Sequence, residues 1–417
     1  MISRWYRKMR SFFVIVIHCS PFIRKIAYAV RGSLKGWEYS FRYGFRYKID
    51  DHIAVFEAYQ GRQFACSPKA LFKEMVSDSR YENLKKIWFF KVPEEHRDLL
   101  QYKNTKIVLY GSHEYFYYYA RAKYWISNSN LPPYIKKKPG QIYIQTWHGT
   151  PFKKIGCDLE VNDNPNTTLH EVYKKYMLEG RRADYFLSPS PYYTRRIMSA
   201  FRIGDQKKIL ELGYPRNDTL YSCRMQTSEV RNRLGIPVDK KVILYAPTWR
   251  DNQFKPGIGA VYYDLHIDFE QLQEQLGDEY LILFRTHYFI SNTFDFSRYV
   301  GFIKNVSSYD DINDLYLASD LLLTDYSSVF FDYANLKRPI VFYMYDYDEY
   351  KGKLRDFYFD EKILPGPVVK QREQLAESIK NVLLTPQYSD VYRRFNEKFN
   401  AHPVPCSKEV LERCIKI

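Results

Sequence analysis

Short apolar runs, each closed by a polar or Gly/Pro turn and followed by a helical stretch, recur along most of this chain. They constrain its fold more than any other feature. His52-Ile-Ala-Val-Phe-Glu-Ala58 reads as a buried strand leading to a turn at Gly61. Pro68-Lys-Ala-Leu-Phe-Lys-Glu-Met75 reads as a helix with Pro in its first turn, where a missing N–H does no harm. Lys86–Phe90, Thr105–Tyr110, Tyr124–Ser127 and Gln141–Gln145 are further strands. The pattern restarts after about residue 223, with strands at Lys241–Tyr245, Tyr280–Phe284, Leu321–Thr324 and Pro339–Tyr343 and a helix over Phe269–Leu276. Strands that are apolar throughout belong to parallel sheets covered by helices on both faces. Two successive units therefore predict two Rossmann-like domains with a cleft between them and a break near Asp218–Thr227.

A chain of 417 residues with 45% hydrophobic content can bury cores of that size, and 27% charged residues is too ordinary for wholesale disorder. No apolar run approaches the ~20 residues of a membrane-spanning helix. Phe12–Ile17 is short for a signal-peptide core and has no small-residue cleavage site after it. Cys19, Cys66, Cys157, Cys223, Cys406 and Cys414 form neither a paired framework nor a C-x-x-C spacing. A secreted disulfide protein, a zinc module and an integral membrane protein are all disfavoured, which leaves a cytoplasmic enzyme. Its charge is uneven. Residues 1–48 carry eleven Lys or Arg against the single acid Glu38, a large part of the net +15.

Five polar loops follow these strands or other strand-like runs. In Leu321-Leu-Leu-Thr-Asp-Tyr-Ser-Ser-Val-Phe-Phe-Asp-Tyr333 a strand ends at Thr324 and a helix starts near Val329. Its first N–H groups and the Ser327 and Ser328 hydroxyls make an anion site, or the serines simply cap the helix. Asp332, four residues on, shares a helix side with Ser328. Gln145-Thr-Trp-His-Gly-Thr-Pro-Phe-Lys-Lys154 sets His148 in a tight loop, where an imidazole acts as a general base or is merely satisfied by backbone. Lys153 and Lys154 balance phosphate charge or are ordinary surface lysines. Arg285 and His287 lie two apart after a strand, a cationic fork and an imidazole that suit a pyrophosphate. Gly213–Asp218 and Ala246–Asp251 each present an Arg from a Pro-marked turn. There is no Gly-x-Gly-x-x-Gly, Walker loop or Gly-x-Ser-x-Gly elbow, and Asp310–Asp311 and the Asp346/Asp348 pair read as caps or turns rather than metal ligands.

Taken together, Trp147-His-Gly-Thr-Pro151, Gly213-Tyr-Pro-Arg-Asn-Asp218, Ala246-Pro-Thr-Trp-Arg-Asp251, Arg285-Thr-His287, Tyr309-Asp-Asp-Ile-Asn313, Thr324–Asp332 and Phe357-Tyr-Phe-Asp360 with Pro365-Gly-Pro367 resemble the CDP-glycerol glycerophosphotransferase family of teichoic acid primases and polymerases. They occur in that family's order across roughly residues 50–385. The resemblance implies an α/β, GT-B-like architecture of two Rossmann-like domains facing a cleft. Its parts would be a basic aromatic arm (1–50), an acceptor-side domain (51–222) and a CDP-donor domain with closing C-terminal helices (223–417). It implies transfer of glycerol phosphate from CDP-glycerol to a hydroxyl of a lipid-linked, polyprenyl-pyrophosphate saccharide acceptor, releasing CMP. Carried over by position, the donor site comprises His148, Gly149, Thr150, Pro151, Phe152, Arg216, Pro247, Thr248, Arg285, Thr286, His287, Ser327, Ser328 and Asp332. His148 is the expected base, with His287 as its alternate, and neither metal nor cofactor is expected. Asp356, where the family commonly has Gly, and the Ala401-His-Pro-Val-Pro-Cys406 tail depart from the pattern.

CDP-ribitol is an alternative donor under the same motifs. A nucleotide-sugar glycosyltransferase and a non-catalytic basic binder are weaker readings, because neither accounts for all five loops. The arm adds Trp5, Tyr6, Phe12, Phe13, Trp37, Tyr39, Phe41, Tyr43, Phe45 and Tyr47 to its positive charge. That combination predicts peripheral attachment to the anionic cytoplasmic face of the cell membrane. No nucleic-acid fold accompanies the charge, so nucleic acid is not an expected partner. The alternation at 37–47 also fits a half-buried strand or helix face.

Overall fold

A computed structural model describes residues 32–161, 167–222, 226–248, 266–286, 295–350, 356–384 and 389–416. Residues 1–31 of the arm, Trp249–Asp251 and His287 lie outside the described residues.

The first half of the chain forms seven strands: β1 (Asp50–Glu57), β2 (Lys85–Phe90), β3 (Thr105–Leu109), β4 (Ala122–Ser127), β5 (Ile142–Gln145), β6 (Tyr185–Ser188) and β7 (Ile209–Glu211). They make one sheet in the order β3-β2-β1-β4-β5-β6-β7, parallel throughout. The second half adds β8 (Lys241–Ala246), β9 (Tyr280–Phe284), β10 (Ile303–Asn305), β11 (Leu321–Thr324), β12 (Ile340–Tyr343) and β13 (Val368–Val369). These make a second parallel sheet in the order β10-β9-β8-β11-β12-β13. Each sheet reverses its strand order once, between β1 and β4 and between β8 and β11. Ligands of such sheets bind at that point, beyond the carboxyl ends of the strands.

The apolar strands are buried on both faces, as their composition requires. In the first sheet Ile53, Val55, Ile87, Phe89 and Trp125 pack to one side, and Ala54, Phe56, Trp88, Phe90 and Ile126 to the other. The helix Cys66–Ser77 covers the second side with Leu71, Phe72 and Met75. The C-terminal helix Ser407–Cys414 joins it there through Val410, Leu411 and Cys414, so the chain's last helix packs on the first sheet rather than the second. Asp218 fixes the segment before that helix: its carboxylate accepts from Cys406 N and Ser407 N, both at 2.9 Å.

Residues 32–39 are helical and continue into a wider π turn at Ser40–Gly44. Tyr39 and Tyr43 on this element are buried against Phe116, which answers the alternation at 37–47 as a helix face and not a strand.

Candidate active site

The loop after β5 carries His148, and a buried polar network shapes it. Gln145, fully buried, donates from Nε2 to Glu179 Oε1 (2.8 Å) and accepts at Oε1 from Trp147 N (2.9 Å). Glu179 is held in turn by Arg182 and by the Tyr143 hydroxyl. Trp147 is pinned at φ 50°, a left-handed conformation that costs a bulky residue ~1–2 kcal/mol. Its indole packs edge-on to Phe201, ring centres 5.0 Å apart, which helps hold it there.

The turn directs His148 Nδ1 to within 2.6 Å of the Asn128 carbonyl at the end of β4. A carbonyl only accepts, so the proton sits on Nδ1 and Nε2 presents a lone pair to the cleft. Desolvation between the cleft walls pulls the imidazole pKa down to about 4 against the raising effect of the Asn128 bond, with Arg216 lowering it further. His148 is therefore neutral at physiological pH.

The same loop then crosses to the second sheet. A Cβ on Gly149 would stand 2.7 Å from Ser328 Oγ, so any larger residue here forces the serine to turn aside. Thr150 is buried, and the Pro151 carbonyl accepts from Tyr192 OH at 3.2 Å. Phe152 is 1% exposed and stacks on Phe357 (4.4 Å, 7°) inside the second core. Backbone bonds from Tyr358 N to Phe152 O and from Lys154 N to Asp356 O, each 2.9 Å, tie the halves together. Lys154 pairs with Glu160 and Asp356 at 2.7 Å, while Lys153 borders the cavity described below.

On the second sheet, Asp325 Oδ1 accepts from Thr248 N (2.8 Å) and Thr324 Oγ1 donates to Ala246 O (2.8 Å). These bonds align the loops after β8 and β11. The helix Val329–Tyr333 has five residues, and Ser328 caps none of its N–H groups. Arg285 Nη1 donates to Tyr309 O at 2.5 Å, and Thr286 N to Ser307 Oγ at 3.1 Å. Burial lowers the Arg285 pKa from its ordinary value, a cost that an incoming anion would offset. Asp311 caps the helix Ile312–Ala318 and receives Lys69 at 2.5 Å.

Arg216 and Asp332 face each other across the cleft. The guanidinium makes two 3.0 Å bonds to the carboxylate, both side chains are buried, and Asn217 adds a third bond to Asp332 at 3.0 Å.

Two cavities meet beside His148. One, of about 540 Å³, is lined by His148, Gly149, Thr150, Pro151, Phe152, Pro247, Thr248, Arg285, Thr286, Ser327 and Ser328. The other, of about 1090 Å³, shares His148, Arg285, Thr286 and Ser328 and also takes in Arg216 and Asp332. Every expected donor residue among those described therefore borders one cavity or the other. Sequence reasoning missed Asn128, Gln145 and Glu179. The polar run Ser127-Asn-Ser-Asn130 directly after a strand was the available signal for Asn128. Among the described residues no group of three His, Cys, Asp or Glu is arranged to hold a metal ion.

Comparison with known proteins gives a consistent result. A family profile described as CDP-glycerol:poly(glycerophosphate) glycerophosphotransferase matches residues 39–413. The teichoic acid poly(glycerol phosphate) polymerase of Bacillus spizizenii is 38% identical over 369 residues, 88% of this chain and 92% of that protein. A teichoic acid glycerol-phosphate transferase of Staphylococcus aureus is 41% identical over 353 residues, 84% of this chain and 88% of that one. The solved structure of the wall teichoic acid polymerase TagF, in a histidine variant soaked with CDPG, superposes with TM-score 0.81 at 38% identity. The match covers 94% of this chain and 96% of that one.

Proposed function

The chain belongs to the CDP-glycerol:poly(glycerophosphate) glycerophosphotransferase family, and from that premise we propose that it moves glycerol phosphate from CDP-glycerol to a hydroxyl of a lipid-linked acceptor in teichoic acid synthesis. The observation that carries the reading is His148, a neutral imidazole with Nε2 open at the junction of two cavities. The smaller cavity takes the donor. The acceptor hydroxyl attacks the phosphorus bearing glycerol, and its proton passes to His148 Nε2. The P–O bond to the CMP phosphate breaks in line, and CMP leaves with the electron pair. Arg285, Thr286, Thr248 and the Ser327 and Ser328 hydroxyls face the pyrophosphate, where they stabilise developing charge. His287 joins them by resemblance alone. Arg216 and Asp332 act as a clamp beside the site. The two facing doubly wound sheets support a GT-B-like arrangement with a domain boundary near residue 222.

Attachment to the anionic cytoplasmic membrane face is part of this reading. Leu34, Trp37, Phe41 and Phe45 fall at helical spacing and are 64%, 70%, 73% and 85% exposed, opposite the buried Tyr39 and Tyr43. Lys35, Arg42, Arg46 and Lys48 flank them. An apolar stripe beside basic residues suits the headgroup boundary. No helix of the described residues is long and apolar enough to cross a membrane.

The test is acceptor-dependent CMP release with CDP-glycerol and CDP-ribitol in parallel. Turnover of CDP-glycerol is expected. Release of CMP from CDP-ribitol alone, or no CMP from either, overturns the proposal.

A further inference from the structure

A nucleotide donor fits within a cavity of several hundred Å³, so the smaller chamber suffices for it. The larger chamber runs from His148 along the carboxyl ends of β1 and β2, past Tyr59, to Arg62 and Lys91. Lys91 N donates to Gly61 O at 2.6 Å and locks the two strand-end loops together. The two cations are consequently neighbours. After burial, the Arg62 charge is the largest influence lowering the Lys91 pKa. Arg62 Nη1 donates to Tyr59 O (2.8 Å) and Gln60 Oε1 (3.2 Å). Tyr59 and Gln60 hold left-handed backbone, φ 48° and 58°, so the guanidinium is presented from a strained, fixed loop. Lys91 Nζ lies over the Tyr110 ring, 5.6 Å from its centre.

Of the four acids lining the chamber, three face partners of their own and the fourth, Glu95, is exposed. Asp332 is closed by Arg216, Asp311 by Lys69, and Asp310 faces His96 at 3.9 Å. Two like charges held side by side favour an anion that reaches both.

We propose that Arg62 and Lys91 form an acceptor subsite that grips a phosphodiester of the acceptor chain behind the attacking hydroxyl. The assignment rests on the transferase reading above and adds a selection to it, for a polyol-phosphate chain over a neutral saccharide. The donor pyrophosphate is the other anion in reach, and the two are separated by measuring both Michaelis constants.

The experiment uses the full chain with Arg62→Gln, Lys91→Gln and the charge-keeping Arg62→Lys and Lys91→Arg. Rates are taken with a soluble acceptor bearing two glycerol phosphate units and with an uncharged polyol acceptor. Each Gln variant should raise KM for the phosphodiester acceptor at least ~10-fold, as expected for one lost charge-assisted contact. KM for CDP-glycerol and for the uncharged acceptor should stay within about twofold, and the charge-keeping variants should recover most of the loss. Equal KM values for the phosphodiester acceptor in wild type and Gln variants would overturn the subsite, as would a rise confined to CDP-glycerol. Calorimetric binding of a short oligo(glycerol phosphate) needs no turnover, so it keeps this test separate from the reaction. Binding lost in the Gln variants supports the subsite even if wild type released no CMP from CDP-glycerol, an outcome that would sink the proposed reaction alone.

Discussion

His148 is prepared by the bond at its other nitrogen. With Nδ1 donating to Asn128 O at 2.6 Å, the tautomer leaves Nε2 as acceptor, and the surrounding cleft lowers the ring's pKa. Gly149 beside it sets the distance to the facing loop. Gly149→Ala would bring a methyl to 2.7 Å from Ser328 Oγ and 3.3 Å from its Cβ, so Ser328 must turn away from the donor. We expect KM for CDP-glycerol to rise about tenfold in this variant, with its melting temperature nearly unchanged. Unchanged KM would remove Ser328 from the donor site. His148, Arg285 and Ser328 were legible in the sequence because each sits in a polar loop at the end of an apolar strand. The Arg216–Asp332 pair was not. Each residue alone suits a pyrophosphate or a hydroxyl, and nothing local reveals a partner 116 positions away.

Among the elements, β1 ends on a carboxyl that burial penalises. Glu57 is fully buried, accepts from Tyr115 OH (3.0 Å) and Tyr119 OH (2.8 Å), and leaves Oε1 without a partner. Desolvation raises its pKa from 4.5 to about 7, against the lowering effect of both tyrosines. The folded state therefore binds this proton more tightly than the unfolded chain. The stabilisation is complete below about pH 4.5 and is lost as pH rises through 7, by roughly 3 kcal/mol in all. Urea unfolding of wild type and Glu57→Gln at pH 5 and pH 8 should show wild type losing stability relative to the variant over that interval. Parallel curves would contradict the assignment. The N-terminal helix gives a second element-scale expectation. Joint replacement of Trp37, Phe41 and Phe45 by Ser should abolish flotation with anionic liposomes at high salt, where charge is screened and apolar contact remains. Unaltered flotation would refute the membrane-facing role of the stripe. The long apolar strands were legible because burial on both faces leaves an unbroken run. β7, β10 and β13, of two or three residues each, are too short to show a period.

At the scale of the whole molecule, two parallel sheets are joined by the Phe152 insertion, the backbone bonds at Asp356–Tyr358 and the buried Arg216–Asp332 pair. Removing one member of such a pair strands the other's charge away from water. Arg216→Ala should therefore cost about 3–5 kcal/mol of unfolding free energy. A loss below about 1 kcal/mol would mean that the pair does not hold the halves together. The doubled sheet pattern was readable from periodicity. The return of the C-terminal helix to the first sheet was not, because its apolar face fits either core equally well in sequence. The central claim is that His148, at the meeting point of two cavities, takes the acceptor proton as glycerol phosphate leaves CMP. Single-turnover CMP release by His148→Ala, with donor affinity measured on the same protein, tests it most directly. The account predicts a rate lower by at least ~10²-fold with CDP-glycerol still bound at near-normal affinity, and near-normal turnover by that variant would contradict it.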